Sequence, residues 1–285
     1  MLYDIAIVGG GPAGLAAALN GRQRNKSVLL FDRRGADAKL GKANSVDNYL
    51  GQQTVSGKEL LDSFTRHAEA RGVLPLYEQI TNIYLTDGMF SLLATNLSWQ
   101  ARTVIFAAGA PAGRLLPGEE EFLGRGVSYC ATCDGLLFKN KKIAIIAECQ
   151  ENEETGFLAG LCKEILYFPL YKDAYPEYDN LTVLAEKPLL VEGADKIAAL
   201  RTDKDIHPVD GVFIFRQNLP PGSIIEGLLL EDNFIKTDKA QRTNIPGFFA
   251  AGDCTGRPWQ INRAAGEGQV AALSAVGYLA DNNRD

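Results

Sequence analysis

The first 31 residues constrain the fold of this chain more than any other stretch. Tyr3 to Val8 is a short, nearly continuous apolar run, which is typical of a strand buried in a parallel sheet. The turn Gly9-Gly10-Gly11-Pro12-Ala13-Gly14 follows at once, a helix is predicted from Leu15, and a second strand is predicted over Ser27 to Phe31. Strand, glycine turn, helix and strand make a βαβ unit, so we expect an α/β fold.

The glycines of this turn fit the GxGxxG pattern of dinucleotide-binding proteins, in the strand-to-helix context that the pattern requires. Gly9 makes the tight turn, Gly11 lets the backbone approach a pyrophosphate, and Gly14 lets the helix pack on the strand. Free N–H groups at the helix N-terminus favour the phosphate charge. Asp32 ends the second strand and is expected to bind a ribose hydroxyl. The other loop residues of the predicted site are Pro12 and Ala13.

A second, smaller unit is predicted in the middle of the chain. Lys142 to Ala147 is another apolar strand, Glu153 to Lys163 has helical spacing, and Ile165 to Phe168 is strand-like. The strand predicted over Val212 to Phe215 is expected to return the chain to the first domain. We therefore predict a split domain over residues 1–113 and 212–285, with a smaller α/β domain inserted at residues 114–211.

Charge and hydrophobicity exclude several classes of protein. The 285 residues carry a net charge of −6, which argues against a general affinity for nucleic acid or anionic membranes. No apolar run reaches the roughly 20 residues that a membrane-spanning helix needs. Asp4 interrupts the first apolar stretch and glycines follow it, unlike the pattern of a signal peptide. We expect a cytoplasmic protein that does not bind membranes.

The C-terminal part of the chain indicates which dinucleotide binds. The stretch from Thr243 to Asp253 resembles the second FAD motif of flavoproteins with two dinucleotide domains, and Thr103 to Gly109 resembles the short motif between the two. The resemblance implies FAD as the cofactor, with Asp253 on the ribityl chain and the N-terminus of the following helix aimed at the flavin. The predicted cofactor site also includes Asn48, Ala108, Gly109, Gly252, Trp259 and Gln260.

The stretch from Ser128 to Gly135 contains the pair Cys130 and Cys133 in a CxxC motif. It resembles the redox motif of low-molecular-weight thioredoxin reductases nearly residue for residue. The resemblance covers the whole chain and weakens between about residues 147 and 211. It implies a two-domain flavoprotein disulfide reductase, a homodimer, whose inserted domain carries the CxxC. It further implies that Cys133 lies against the flavin, that Cys130 attacks the disulfide of thioredoxin, and that Asp134 is the acid.

Zinc binding is the main competing use of a CxxC motif. A closed zinc site needs four ligands, but the chain contains only two histidines, His67 and His207, and no second CxxC. We therefore predict no metal. The three remaining cysteines are expected to be small buried hydrophobic residues: Cys149, Cys162 and Cys254.

The chain departs from ordinary thioredoxin reductases where a second glycine loop should bind NADPH. The segment from Ala147 to Glu154 contains no glycine and four glutamates, which would repel a pyrophosphate. The segment from Phe168 to Tyr171 lacks the arginine expected for a 2′-phosphate. This pattern resembles the ferredoxin-dependent flavin thioredoxin reductases, which do not use pyridine nucleotides.

That resemblance implies ferredoxin as the electron donor. Transfer from a plant-type ferredoxin at about −400 mV to thioredoxin at about −270 mV is downhill by roughly 6 kcal/mol for two electrons. Because ferredoxins are acidic, we expect a basic docking patch. The candidate patches are Arg22, Arg24 and Lys26; Arg33 and Arg34; and Lys139, Lys141 and Lys142.

Several alternatives remain open from the sequence. An FAD-dependent dithiol oxidase also carries a CxxC and needs no NADPH, but it passes electrons to oxygen. A diflavin enzyme would hold a second flavin in the shortened insert, against Tyr167, Phe168 or Tyr171. NADPH could bind with another geometry, or the protein could be a redox sensor without turnover.

Overall fold

The structure, a computed structural model, divides into two compact units. The first contains Met1–Pro111 and Pro220–Asp285, and the second contains Ala112–Leu219. In the part of the chain that the structure describes, no helix is both long enough and apolar enough to cross a membrane. The described residues are 1–33, 39–94, 97–110, 115–172, 174–216 and 220–282.

The N-terminal segment of the first unit begins with the predicted βαβ arrangement. The helix that follows, α2, starts at a capping box: the Ser56 hydroxyl accepts from the N–H of Glu59, and the Glu59 carboxylate accepts from the N–H of Ser56. The elements are β1 (Leu2–Val8), α1 (Pro12–Gln23), β2 (Val28–Phe31), α2 (Gly57–Glu69), β3 (Pro75–Leu76), β4 (Asn82–Thr86), β5 (Met89–Leu93) and β6 (Ser98–Phe106).

The second unit follows, and the chain then returns to the first. The elements of the second unit are β7 (Val127–Ser128), α3 (Ala131–Asp134), β8 (Lys142–Ala147), α4 (Asn152–Ala159), β9 (Glu164–Pro169), β10 (Leu181–Val183), β11 (Pro188–Gly193), β12 (Ile197–Thr202), β13 (Ile206–Pro208) and β14 (Gly211–Phe215). The first unit is completed by α5 (Pro221–Ile224), β15 (Leu230–Glu231), β16 (Phe234–Ile235), β17 (Phe248–Ala250) and α6 (Ile261–Asn282).

The main sheet of the first unit has the order β3-β2-β1-β6-β5-β4, and β17 pairs with the second half of β6. The strands β3, β2, β1, β6 and β17 are parallel, so their carboxyl ends share one edge. The path from β1 to β2 goes to one side of β1 while β6 lies on the other. The crevice between β1 and β6 is therefore a topological switch point, where sheets of this kind bind ligands.

Small residues bring two helices close together on this sheet. A Cβ atom on Gly268 of α6 would lie 2.0 Å from the carbonyl oxygen of Ala13 in α1. The contact faces consist largely of buried alanines, including Ala17, Ala18 and Ala271. This close packing positions the N-terminal turn of α1 beside the segment that follows β17.

The second unit repeats the parallel architecture with the order β10-β9-β8-β14-β7, and β11, β12 and β13 form a separate antiparallel sheet. Its switch point lies between β8 and β14. The expectation that the strand over 212–215 returns to the first domain is wrong. Gly211–Phe215 pairs with β8 and β7 and is buried along its whole length, because an apolar run predicts burial without identifying its partner strands.

This pairing moves the predicted domain boundary. The second unit ends at Leu219 rather than at residue 211, since β14 is one of its inner strands. The other predicted boundary, between residues 113 and 114, lies outside the described residues.

Candidate active site

The glycine loop after β1 is tightly packed on one side and open on the other. Gly9 has a φ of +115°, and a Cβ atom there would lie 2.2 Å from the carbonyl oxygen of Ala107. A Cβ on Gly14 would lie 1.7 Å from the carbonyl oxygen of Gly9. A Cβ on Gly11, the N-cap of α1, would meet no atom within 4 Å. The loop thus presents open space at the start of α1, where Pro12 occupies the first helical position.

The other sequence-predicted residues of this edge lie beside the loop. A Cβ on Gly10 would lie 2.4 Å from Asp32 Oδ2, and a Cβ on Gly9 would lie 2.8 Å from Ala108 Cα. Gly109, which has a φ of +89°, also has open space at its Cβ position. The structure therefore brings the carboxyl ends of β1, β2 and β6 together around one crevice.

The segment after β17 reaches the same loop. Gly252 has a φ of +86°, and a Cβ there would lie 2.9 Å from Ala13 Cβ. Glu267 of α6 fixes the conformation of this segment: its Oε2 accepts from the Gly252 N–H at 2.8 Å and from the Thr255 hydroxyl at 3.0 Å. Arg263 Nε lies 2.8 Å from Glu267 Oε1. Glu267 was not predicted from the sequence, although its four-residue spacing from Arg263 is a signal for such a pair.

The remaining predicted cofactor residues gather near the start of α6. Lys39 Nζ lies 3.2 Å from Asp253 Oδ2 and 4.2 Å from the ring centroid of Trp259. The Asn48 side chain donates to Gln260 Oε1 at 3.2 Å. Lys39 was not predicted, since it belongs to no recognisable motif.

The dithiol turn lies in the second unit. Cys130 and Cys133 form a disulfide with a Cα–Cα distance of 5.3 Å. Cys130 is the N-cap of α3, and its sulfur accepts from the N–H of Cys133 at 3.2 Å. Cys130 is only 4% exposed, whereas Cys133 is exposed.

Asp134 is connected to Cys130 through a serine. The Ser128 hydroxyl donates to Asp134 Oδ2 at 2.6 Å and accepts from the N–H of Cys130 at 3.1 Å. Ser128 is buried, so its hydroxyl has little competition from water. This bridge holds the Asp134 carboxyl group beside the dithiol turn. Ser128 was not predicted as a site residue.

Two of the glutamates in the segment that lacks a second glycine loop, Glu148 and Glu154, have partners within the second unit. Glu154 Oε2 accepts from the N–H of Ala131 at 2.7 Å. Glu148 Oε1 accepts from Arg216 Nε at 2.8 Å. Arg216 directly follows β14 and Glu148 directly follows β8, so their ion pair lies at the switch point of the second sheet.

Arg216 also links the switch point of the second sheet to the segment that carries the CxxC motif. Its two terminal nitrogens both bond the Glu119 carboxylate, and Tyr129, next to Cys130, donates to Glu119 Oε1 at 2.7 Å. Arg216 and Glu119 are buried. Burial acts against the Arg216 charge, but Glu119 and Glu148 raise the pKa of the guanidinium. Burial, with the Glu119 charge, raises the pKa of the Tyr129 hydroxyl.

Two of the other cysteines are buried, which disfavours the reactive thiolate form. Burial raises the pKa of the Cys162 thiol to about 11 and that of the Cys254 thiol to about 12. Cys149 is only partly buried, against expectation. Within the described residues, no group of three or more His, Cys, Asp or Glu side chains is arranged to hold a metal ion.

The aromatic residues suggested for a second flavin are mostly inaccessible. Tyr167 and Phe168 are 0% exposed because they lie in β9 within the core, so they offer no ring face to a ligand. The Tyr171 hydroxyl lies 2.9 Å from that of Tyr167.

Comparison with known proteins agrees with this arrangement. The family model described as pyridine nucleotide-disulphide oxidoreductase matches residues 3–147 and 184–268. The chain belongs to this family. The thioredoxin reductase of Listeria monocytogenes is 31% identical over 300 residues, covering 98% of this chain and 94% of the relative. The family match leaves out residues 148–183, the segment that contains the glutamates and lacks the second glycine loop.

Solved structures of thioredoxin reductases share the fold. The crystal structure of a ferredoxin-flavin thioredoxin reductase from Clostridium acetobutylicum has 40% identity and a TM-score of 0.89, covering 100% of both chains. The thioredoxin reductase of Gloeobacter violaceus has 25% identity and a TM-score of 0.79, covering 98% of this chain and 95% of the other. The predicted α/β fold and resemblance are confirmed. This member of the family is a thioredoxin reductase-type flavoenzyme, a flavin disulfide oxidoreductase that uses FAD.

The first unit fits an FAD molecule. The open position at Gly11, the adjacent N-terminus of α1 and the crevice between β1 and β6 suit a pyrophosphate. Asp32 directly follows β2 and Asp253 follows β17 by three residues, positions that suit a ribose hydroxyl and a ribityl hydroxyl.

Proposed function

We propose that this chain is a thioredoxin reductase that takes electrons from reduced ferredoxin rather than from NADPH. The observation that carries the proposal is the ion pair of Glu148 with Arg216 at the switch point of the second sheet. In a nucleotide-binding unit, glycines at this point let the backbone approach a pyrophosphate. Here side chains fill the edge, and the Arg216 charge is already matched by two carboxylates. The ferredoxin-flavin relative supports the choice of donor.

The two units have separate roles in this proposal. The first unit would hold FAD through the residues predicted for it, and FAD would supply the pair of electrons that reduces the Cys130–Cys133 disulfide. The thiolate of Cys130 then attacks a thioredoxin disulfide, forming a mixed disulfide and releasing one thiolate, to which Asp134 gives a proton. Attack of Cys133 on the Cys130 sulfur releases the second thiolate and restores the original disulfide. Because Cys130 is buried, its attack requires a change in its exposure.

Exposed leucines next to the dithiol support a protein as the acceptor. Leu136 and Leu137, two and three residues after the end of α3, are 67% and 66% exposed. Apolar side chains that protrude beside a reactive group are typical anchors for a partner protein. We further propose, from the family resemblance, a homodimer in the cytoplasm.

The candidate basic patches for ferredoxin differ in how many of their positive charges are neutralised by a neighbouring carboxylate. Lys142 Nζ lies 2.7 Å from Glu164 Oε1, so it contributes less than Lys139 and Lys141. Arg22 and Arg24 donate to backbone carbonyl groups and keep their charge. Arg34 lies outside the described residues.

The test is steady-state turnover under anaerobic conditions. Reduced ferredoxin and oxidised thioredoxin are mixed with the enzyme, and the thioredoxin thiols formed are counted. We expect turnover with ferredoxin, none with NADPH, and loss of turnover in Cys130→Ser but not in Cys149→Ser. Equal turnover with NADPH would overturn the choice of donor. Oxygen consumption with a small dithiol, without thioredoxin turnover, would instead identify a dithiol oxidase.

A further inference from the structure

Glu154 contacts the dithiol turn directly, although it belongs to a different element. It lies in the first turn of α4, and its Oε2 accepts from the N–H of Ala131, the residue after Cys130, at 2.7 Å. The other end of the one-turn helix α3 also packs on α4, since a Cβ on Gly135 would lie 2.9 Å from the Phe157 ring. Contacts from α4 therefore fix both ends of the turn that carries the disulfide.

The position of this carboxylate matters for the chemistry of Cys130. The first N–H groups of a helix have no partner inside it. In α3 the N–H of Cys133 donates to the Cys130 sulfur, whereas the N–H of Ala131 donates to Glu154. Reduction breaks the S–S bond, takes up two electrons from the flavin, and takes up one proton for each sulfur that becomes a thiol. A negative charge beside the turn disfavours a thiolate there, so it favours the protonated Cys130 thiol.

We propose that Glu154 is a positioning residue that anchors the dithiol turn and restrains the ionisation of Cys130. The N-terminus of α4, which follows the switch-point strand β8 and would face a phosphate in a nucleotide-binding unit, here supports the disulfide instead. The inference deepens the proposed function and rests on it only in taking Cys130 as the attacking thiol.

The test measures how the reactivity of Cys130 depends on pH. The FAD-loaded enzyme is reduced with a phosphine, which is then removed, and labelled with iodoacetamide between pH 5 and pH 10. Mass-spectrometric fragmentation assigns the label to Cys130 or Cys133. Glu154→Gln keeps the shape and an acceptor but removes the charge, Glu154→Ala removes both, and Glu153→Gln removes an exposed neighbouring charge as the control.

We expect Glu154→Gln to lower the midpoint of Cys130 labelling by roughly one pH unit, without changing the limiting rate at high pH. Glu154→Ala should lower the midpoint and also raise the limiting rate severalfold, because the turn loses its anchor. Glu153→Gln should match the unaltered enzyme. An unchanged midpoint in Glu154→Gln would overturn the inference. Because the reductant is chemical, an enzyme that fails to reduce thioredoxin but shows the shift would disprove only the proposed function.

Discussion

The parallel strands of both units form a switch point at their carboxyl ends, but the chemistry of the two edges is opposite. In the first unit, the edge between β1 and β6 consists of backbone and small residues and opens at Gly11. In the second unit, the edge between β8 and β14 is occupied by the side chains of Glu148 and Arg216. The residues that follow the strands, rather than the strands themselves, thus determine whether a switch point holds a ligand or an ion pair.

The two edges are also stabilised in different ways. The first depends on close approach of backbone groups, so added volume should damage it. The second depends on a buried arginine between carboxylates, and removal of one member leaves a buried charge without compensation. Substitutions can therefore test each edge separately.

Arg216→Ala should have the largest effect. It leaves the buried Glu119 carboxylate without its cationic partner, and we expect a loss of about 3–5 kcal/mol in the free energy of unfolding of the second unit. Urea unfolding followed by circular dichroism, with flavin fluorescence reporting the first unit, measures the difference. The matched control is Arg201→Ala, which breaks the partly exposed pair with Glu192 and should cost less than about 1 kcal/mol. Similar losses of unfolding free energy in Arg216→Ala and Arg201→Ala would show that the buried arginine does not stabilise the second unit more than a partly exposed ion pair does.

Gly14→Ala should damage the first edge. The new Cβ would lie 1.7 Å from the carbonyl oxygen of Gly9, so the loop must move, at a cost of roughly 3 kcal/mol and with loss of bound FAD. The ratio of flavin absorbance to protein absorbance after purification measures the occupancy. Gly266→Ala in α6, where a Cβ meets no atom within 4 Å, is the control and should keep its flavin. Full occupancy in Gly14→Ala would refute the close-packing account.

Asp134→Asn tests whether the Asp134 side chain of the second unit supplies the proton during reduction of thioredoxin. The amide keeps the shape and can still bond Ser128 but cannot supply a proton, so we expect thioredoxin turnover to fall about 100-fold, or roughly 2.7 kcal/mol. The measurement is turnover with saturating thioredoxin. Ser128→Ala should lower the rate less, because it removes only the bridge between Asp134 and Cys130. Wild-type turnover in Asp134→Asn would remove this residue from the mechanism.

Leu137→Ala should have the smallest of these effects. Loss of an exposed apolar anchor should raise the KM for thioredoxin about tenfold, roughly 1.4 kcal/mol, and leave kcat unchanged. Leu229→Ala, which truncates an exposed leucine of the first unit, serves as the control. Equal KM values for all three enzymes would show that the leucines after α3 do not contact the acceptor.

The sequence predicted local features better than distant partners. The βαβ unit, the glycine loop and the CxxC turn have signals within a few residues, and the structure contains all three. The repulsion of a pyrophosphate by the Glu148 to Glu154 segment stays a prediction from charge, and the sequence did not indicate that Glu148 and Glu154 have partners within the second unit. Arg216 is 68 residues from Glu148, and no spacing rule connects them. The placement of β14 failed for the same reason, because burial does not specify which strand is adjacent.

The central claim is that the switch point of the second unit does not bind a pyridine nucleotide. The most direct test is anaerobic absorbance of the flavin after mixing the enzyme with NADPH and, separately, with reduced ferredoxin. The account predicts bleaching of the flavin band with ferredoxin and an unchanged spectrum with NADPH. Bleaching by NADPH at a rate that supports turnover would contradict it.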